Sequence, residues 1–434
     1  MPMMQPSTAC RALVVVAGST LPGSGTGVEQ RRNHLILGAQ RAIGVCGIVV
    51  VNPISPERRA AMARAYGCPV SGLPTSPPTA RAVKVRRRAR RLWSPRRVTQ
   101  LRSDEVGEVI RTWPERFGLV LVEAVESFEV VRASTACPVV VDLDDVPSML
   151  MEQEIRIRRP SILGLRRPGR ARTRGGEPSP SVDRSMRRLL AFAVEWARWR
   201  LWERRLVRRA SLVLVCSDAD LERLGRRSRR LHVVPNGFDA GAPPRAMGRP
   251  GPAPSVAFWG LMAYRPNADG ARWFVTEVLP ELERLVPEIA VKIVGSGSEG
   301  LELPSHERVS VLGHVEDLDG LLATVDVAIV PLRIGGGTRI KIVEAWARGV
   351  PVVSTTTGAR GLGVASGREL LLADEPDDFA KAVHRVMVDD ELRGRLVALG
   401  AERAATLTWR HAEDHLVDAL GTVLVRRSAP AVGR

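Results

Sequence analysis

Lysine is nearly missing from this chain: of 64 basic side chains four are lysines (Lys84, Lys292, Lys341, Lys381) and 60 are arginines. Aromatic residues make up only 4%, and the five cysteines (Cys10, Cys46, Cys68, Cys137, Cys216) are scattered, odd in number and without CxxC or Cys/His spacing. Each scarcity excludes something. With no interleaving of aromatic and basic residues there is no stacking surface of the single-strand-binding kind. The formal charge of +17 therefore argues for the arginine usage of a GC-rich genome, and nucleic acid is not expected as a partner. The cysteines offer neither a disulfide framework nor a zinc site, and suit a reducing cytoplasm. No run reaches the roughly 18 apolar residues of a membrane-spanning helix. The stretch RALVVVAGST from Arg11 has weak basic flanking and no clear cleavage site, so it reads as a first buried strand, not a signal segment. The run RRRARR at Arg86 to Arg91 suits either anionic phospholipid head groups at a membrane surface or a solvated basic face.

What is present is a regular alternation. At 434 residues the chain exceeds one typical domain and suits two of about 200 residues each. Hydrophobic content of 44% with 39 glycines fits a soluble α/β protein. Short apolar runs at Ala12–Ala17, Gly47–Val51, Leu119–Glu123, Pro138–Leu143 and Leu212–Cys216 predict parallel strands separated by helices. Residues 151–186, rich in Arg, Pro, Gly and Ser, show no periodicity and read as a mobile insertion. From Ser185 to Arg209 an amphipathic helix carries Trp196, Trp199 and Trp202, a stripe that suits core or interface packing. After the strand LHVV, Pro235–Pro254 reads as an interdomain linker. The second half repeats the rhythm: strands at Ser255–Trp259, Ala290–Val294, Val309–Leu312, Val327–Leu332 and Pro351–Ser354, with a helix through Trp273 to Leu285. Two doubly wound, Rossmann-like sheets are expected, as domains 1–234 and 235–405, with a final helical segment 406–434 that crosses back to the first.

The richest stretch is VDVAIVPLRIGGGTRIKIVEAWARGVPVV, Val325 to Val353. A buried strand ends in Gly335, Gly336 and Gly337, where the backbone can approach a ligand. Thr338 is the expected N-cap of a helix from Arg339 to about Arg348, whose free N–H groups and partial positive charge suit a phosphate. Arg339 and Lys341 add cationic donors, and Glu344, about one and a half turns in, is a carboxylate suited to sugar hydroxyls. An ordinary βαβ turn with a solvated helix is the plain alternative. The glycine turn at Gly23, Gly25 and Gly27 after the first strand is a weaker ligand-loop signal. His34 and His232 read as structural. Glu123 and Glu126 are either cleft-facing acceptor-side groups or solvated. No DxD is arranged like a metal site near the phosphate loop; Asp142, Asp144 and Asp145 lie in the other half, at a strand end, where acceptor contacts suit them better.

VVPNGFD (Val233–Asp239), FWGLMAYRPNADGARWF (Phe258–Phe274), VGSG (Val294–Gly297), LGHVED (Leu312–Asp317) and PLRIGGGTRIKIVEAWARGVPVVST occur in an order that resembles group 1, or family 4 type, glycosyltransferases of GT-B architecture, over nearly the whole chain and most clearly from Leu231 onward. With VDLDDV (Val141–Val146), the form GGGTRIKIVEA is similar to the exopolysaccharide or PEP-CTERM-associated sugar transferases. The resemblance implies a hexosyltransferase-type enzyme acting on a nucleotide-sugar donor and a saccharide or lipid-linked acceptor in cell-surface polysaccharide or glycoconjugate synthesis, with retention and with no metal or other cofactor. It implies that Glu344 binds the ribose, that Arg339 and Lys341 lie near the donor phosphates, and that backbone groups at His314 and Val315 meet the base. The loop Gly335–Thr338 would offer amides to the diphosphate and sugar, and Gly25 and Gly27 would close from the other domain. Two departures stand out. The position eight before Glu344 is Gly336, so a carboxylate usual in the family is missing, and the basic residue after the first strand of the second domain is out of register, with Arg265 the nearest candidate. A sugar-nucleotide epimerase of similar fold and a non-catalytic basic scaffold are the competing readings. A cytoplasmic enzyme, peripheral at the inner membrane face, is the expected setting.

Overall fold

The computed structural model describes residues 11–22, 25–73, 95, 98, 103–162, 182–226, 228–239 and 253–428. The arginine run at 86–91, residues 163–181 of the expected insertion and linker residues 240–252 lie outside the described residues.

Seven strands form the first sheet: β1 (Ala12–Val16), β2 (Val45–Val50), β3 (Val70–Gly72), β4 (Leu119–Val122), β5 (Val139–Leu143), β6 (Leu212–Val215) and β7 (Leu231–Val233). All pair in parallel, in the order 3-2-1-4-5-6-7. Six more form the second: β8 (Ser255–Trp259), β9 (Ala290–Val294), β10 (Val309–Val311), β11 (Val327–Val330), β12 (Val352–Ser354) and β13 (Leu371–Leu372), again all parallel, in the order 10-9-8-11-12-13. The central strands are Val, Ile and Leu runs buried on both faces, which a parallel sheet covered by helices on both sides requires. One face of the first sheet packs around Phe128, Trp199 and Trp202, and the other around Leu35, Ile36, Met62 and Leu416. The α/β expectation with two doubly wound sheets holds. The tryptophan stripe is core packing at Trp199 and Trp202, whose rings meet edge to face at 5.4 Å.

Six helices position the cavity or tie the two halves together: α1 (Gly27–Ile43), α2 (Pro147–Ile162), α3 (Val182–Arg209), α4 (Arg265–Trp273), α5 (Ile340–Ala347) and α6 (Trp409–Ser428). Helix α2 corrects the reading of residues 151–186 as an insertion without periodicity, since 151–162 are helical. The last helix, α6, lies on α1. There the His34 ring stacks on Trp409 at 4.4 Å with planes 6° apart, and His34 Nδ1 sits 2.8 Å from Glu413 Oε1. Glu413 also accepts from Arg41, so His34 is a packing residue between two helices.

Strand order reverses direction between β1 and β4 in one sheet and between β8 and β11 in the other. At such switch points the connections leave to opposite faces and a crevice opens beyond the carboxyl ends of the strands. Both crevices open onto one space.

Candidate active site

That space is a cavity of about 610 Å³, within the range of small-molecule sites. Its walls are Gly25–Gln30 after β1, Asp144 and Asp145 after β5, Trp259 at the end of β8 with Gly260, Leu261 and Tyr264 after it, Gly295 and Ser296 after β9, His314 and Val315 after β10, and Gly336–Lys341 with Glu344 after β11. The residues thus come from the carboxyl ends of strands in both sheets.

Each glycine of the triple has its own reason. A Cβ on Gly335 would collide with the Arg339 guanidinium, and one on Gly336 would fall 2.6 Å from Asp145 Oδ1. Gly337 takes φ +66°, the left-handed region that side chains avoid. The loop is held from the first half of the chain. Gly335 N–H donates to Gln153 Oε1 at 2.7 Å, and Gln153 Nε2 returns a bond to Gly335 O at 3.1 Å. The Thr338 hydroxyl donates to Cys216 O at 3.0 Å.

The charged groups are arranged for an anion. Arg339 is buried, with 9% of its surface accessible. One Nη1 bond goes to Gly336 O, while Nε and Nη2 are buried without a partner among the described residues. A buried guanidinium with open donors is costly unless something completes it. Lys341 donates to Asn267 Oδ1 at 2.6 Å and lies 4.6 Å over the Phe258 ring. Burial, with Arg339 adding to it and Glu344 opposing, pushes its ammonium down to about 7. An anionic ligand would reverse that shift. Glu344 Oε2 accepts from Trp259 Nε1 at 2.8 Å, which fixes the carboxylate, and its other oxygen accepts no hydrogen bond among the described residues.

Across the cavity, α1 begins at Gly27, where an added Cβ would reach Ile340 of the second half at 3.0 Å. Thr26 N–H donates to Glu29 Oε2 at 2.7 Å, a capping interaction that sets this helix end. One turn on, Arg31 is fully enclosed and bidentate to Asp142 at 2.9 and 2.5 Å, with further bonds to Val234 O and Asn236 Oδ1. That network ties α1 to β5 and to the chain leaving the first sheet. Asp145 is different. Burial, with Asp144 next to it, raises its carboxyl to about 7 against the pull of Arg339, and Tyr264 OH donates to its Oδ2 at 3.3 Å.

The structure gathers Gly25, Gly27, His314, Val315, Gly336, Gly337, Thr338, Arg339, Lys341 and Glu344 around one cavity. Three expectations need correction. Thr338 does not cap the helix: α5 starts at Ile340 with Arg339 at the cap position, because the Thr338 hydroxyl is spent on Cys216. Gly335 does not offer its amide to a ligand, because Gln153 takes it. Arg265 does not line the cavity: it pairs with Glu154 at 2.6 Å. Glu123 accepts from Ala17 N–H and Arg32, so it braces the β1 loop and does not face an acceptor. Asp142 is consumed by Arg31, which leaves Asp144 and Asp145 at the cavity. Sequence reasoning missed Trp259, Tyr264, Asn267 and Gln153. The motif holding the first three is visible without showing which of its side chains face a ligand, and Gln153 sits in a run masked by arginines.

Residues 253–389 match the family described as glycosyl transferases group 1. That span is a group 1 glycosyltransferase domain. Over 251 residues the chain is 28% identical to a D-inositol 3-phosphate glycosyltransferase of Nocardioides sp., covering 50% of this chain and 54% of that protein. Over 189 residues it is 30% identical to a phosphatidyl-myo-inositol mannosyltransferase of Mycolicibacterium smegmatis, covering 41% and 48%. The chain spans about half the length of such relatives. Among solved structures, HepE of Anabaena in complex with UDP and glucose superposes with TM-score 0.59 at 15% identity, over 94% of this chain and 99% of that one. Sucrose-phosphate synthase of Thermosynechococcus elongatus gives 0.60 at 14%, over 96% and 100%. At such identities the likeness is one of fold, and the fold is GT-B: the group 1 domain and a second doubly wound sheet facing one cleft.

Proposed function

We propose that this protein is a glycosyltransferase that moves a sugar from a nucleoside diphosphate sugar to a saccharide or lipid-linked acceptor, with retention, in the synthesis of a cell-surface polysaccharide or glycoconjugate. The observation that carries the reading is Arg339: a buried guanidinium with two donor nitrogens, Nε and Nη2, unpartnered among the described residues, beside Lys341 in a cavity that also holds Glu344. Diphosphate oxygens complete the guanidinium and recharge the lysine, and ribose hydroxyls suit the oriented Glu344 carboxylate. Breaking the anomeric bond moves negative charge onto the leaving diphosphate while the sugar gains oxocarbenium character. Positioned cations in a partly dry site favour that separation, so in this reading Arg339 and Lys341 stabilise the leaving group without a metal ion. His314 and Val315, on the wall beyond Glu344, are the surface for the base. Closure of the two halves excludes water and protects the donor from hydrolysis.

The names of the relatives support this direction, as does a structural neighbour that was solved with UDP-glucose. Peripheral contact with an anionic membrane at the cytoplasmic face is part of the proposal for a lipid-linked acceptor. Among the described residues no helix is long and apolar enough to cross a membrane.

The test is calorimetric binding of UDP, GDP, ADP and their sugar conjugates to the wild type and to Glu344→Ala. Selective binding of one nucleotide, weakened in the variant, supports the donor site. Binding followed by turnover of the donor to an isomer with no acceptor present favours an epimerase, and no binding at all leaves a scaffold.

A further inference from the structure

Asp145 is an acidic group of this cavity whose position is tied to a gap in the glycine loop. Its Oδ1 stands 2.6 Å from where a Gly336 side chain would begin, with Met149 Cε at 3.1 Å from the same point. Gly336 does not take a positive φ, so its backbone accommodates any residue. What requires glycine here is the space filled by a carboxylate from the other sheet. We propose that Asp145, carried by the loop after β5, receives hydrogen bonds from hydroxyls of the transferred sugar and so selects the donor, completing across the cleft a site that the glycine loop leaves open. This rests on the nucleotide-sugar reading of the cavity.

Three further observations point the same way. Tyr264 OH engages Oδ2 alone, and Oδ1, the oxygen nearest the glycine loop, accepts no hydrogen bond among the described residues. The carboxyl is held back from full ionisation by burial and by Asp144, so hydroxyl donors that replace its lost water gain more here than at the surface. The division of charge also fits the parts of a nucleotide-sugar. The open donors of Arg339 and the ammonium of Lys341 attract phosphate, which Asp145 would repel, whereas a neutral sugar has donors to give and no charge to resist. The loop of Asp144 and Asp145 lies against Gly337, whose added Cβ would meet Asp144 O at 3.0 Å, so the carboxylate is seated at the glycine turn and does not reach in from a distance.

The experiment compares affinities for bare nucleoside diphosphates (UDP, GDP, ADP) and their hexose conjugates, by calorimetry, in wild type, Asp145→Ala, Tyr264→Phe and the double variant Asp145→Gly with Gly336→Glu. Asp145→Ala is expected to leave the bare nucleotide within about twofold and to weaken the sugar conjugate by about tenfold or more, the scale of a hydrogen bond to a charged group. Tyr264→Phe, which loses the contact between the halves but keeps the carboxylate, is expected to bind the conjugate nearly as well as wild type. The double variant, which returns a carboxylate from the other side of the gap, is expected to recover most of the loss. Equal effects of Asp145→Ala on nucleotide and conjugate, or no effect on either, overturn the assignment while leaving the functional reading standing. A wild type that binds no nucleotide overturns both. A double variant that melts like wild type and still fails to recover the conjugate also overturns it.

Discussion

A single indole N–H orients the carboxylate to which the proposed donor site assigns the ribose. Trp259 ends β8 and donates to Glu344, so Trp259→Phe removes that bond while keeping an aromatic ring in the core. The expected result is a rise of about ten- to a hundredfold in the Kd for the preferred nucleotide, from a loss of ~1.5–3 kcal/mol typical of hydrogen bonds to charged groups, read by calorimetry on folded protein. Lys341→Ala and Glu344→Ala each remove a group that meets the donor in the proposed reading, and are expected to lower sugar transfer by about 10²–10³-fold in a donor-turnover assay on folded protein. The lysine also sets a pH dependence. With the cavity empty its ammonium titrates near 7, and a bound diphosphate raises that value, so the complex holds more protons than the free protein above pH 7. Affinity therefore falls as pH rises from 7, by up to about tenfold per unit, until the bound lysine itself titrates. The other charged groups that face this cavity are Asp144, Asp145, Glu29, Glu344 and Arg339. Calorimetry in buffers of different ionisation enthalpy should register proton uptake on binding at pH 8, and a flat affinity from pH 7 to 9 would contradict the placement of Lys341.

At the scale of elements, the strands and the glycine loop were legible in the sequence because each rests on local chemistry. Runs such as LVVV and VAIV are buried on both faces wherever they fall, and a triple glycine between a strand and a helix marks close approach. What could not be read locally is what crosses the cleft. Thr338 has the ideal identity for a cap, yet its hydroxyl goes to Cys216, 122 residues away in sequence. Arg265 has the right charge and the wrong neighbour, Glu154. Helix α2 hides in an arginine-rich run that includes Pro160, and its contribution, Gln153, is chosen by a backbone amide in the other half. Strands β3 and β13, of three and two residues, are too short for any alternation to register. The role of α2 is testable: Gln153→Ala strips both bonds from Gly335 and should raise KM for the donor several-fold while kcat changes less, because the loop is loosened and no group that meets the leaving phosphate is lost. A matched fall in kcat alone would argue that α2 does not position the loop.

For the whole molecule, the two halves are joined by more than the cavity. The Arg31–Asp142 pair is enclosed, with 2% and 0% of the side chains accessible. Arg31→Ala strands a buried carboxylate and should cost about 3–5 kcal/mol in denaturant unfolding of the first half, largely restored by a second change, Asp142→Asn. The chain also crosses between the halves twice, and the crossings meet. Phe238 N–H donates to Leu407 O at 2.8 Å, Trp409 N–H donates to Asp239 Oδ1 at 3.1 Å, and a side chain at Gly237 would run into the Thr408 backbone. Two backbone segments laced side by side behave like the paired pins of a door. They let one leaf swing about the line through both pins and resist sliding or twisting across it. In the proposed reaction every donor and every product would meet the same arc of travel, with the register between the glycine loop and the opposing carboxylate recovered at each closing.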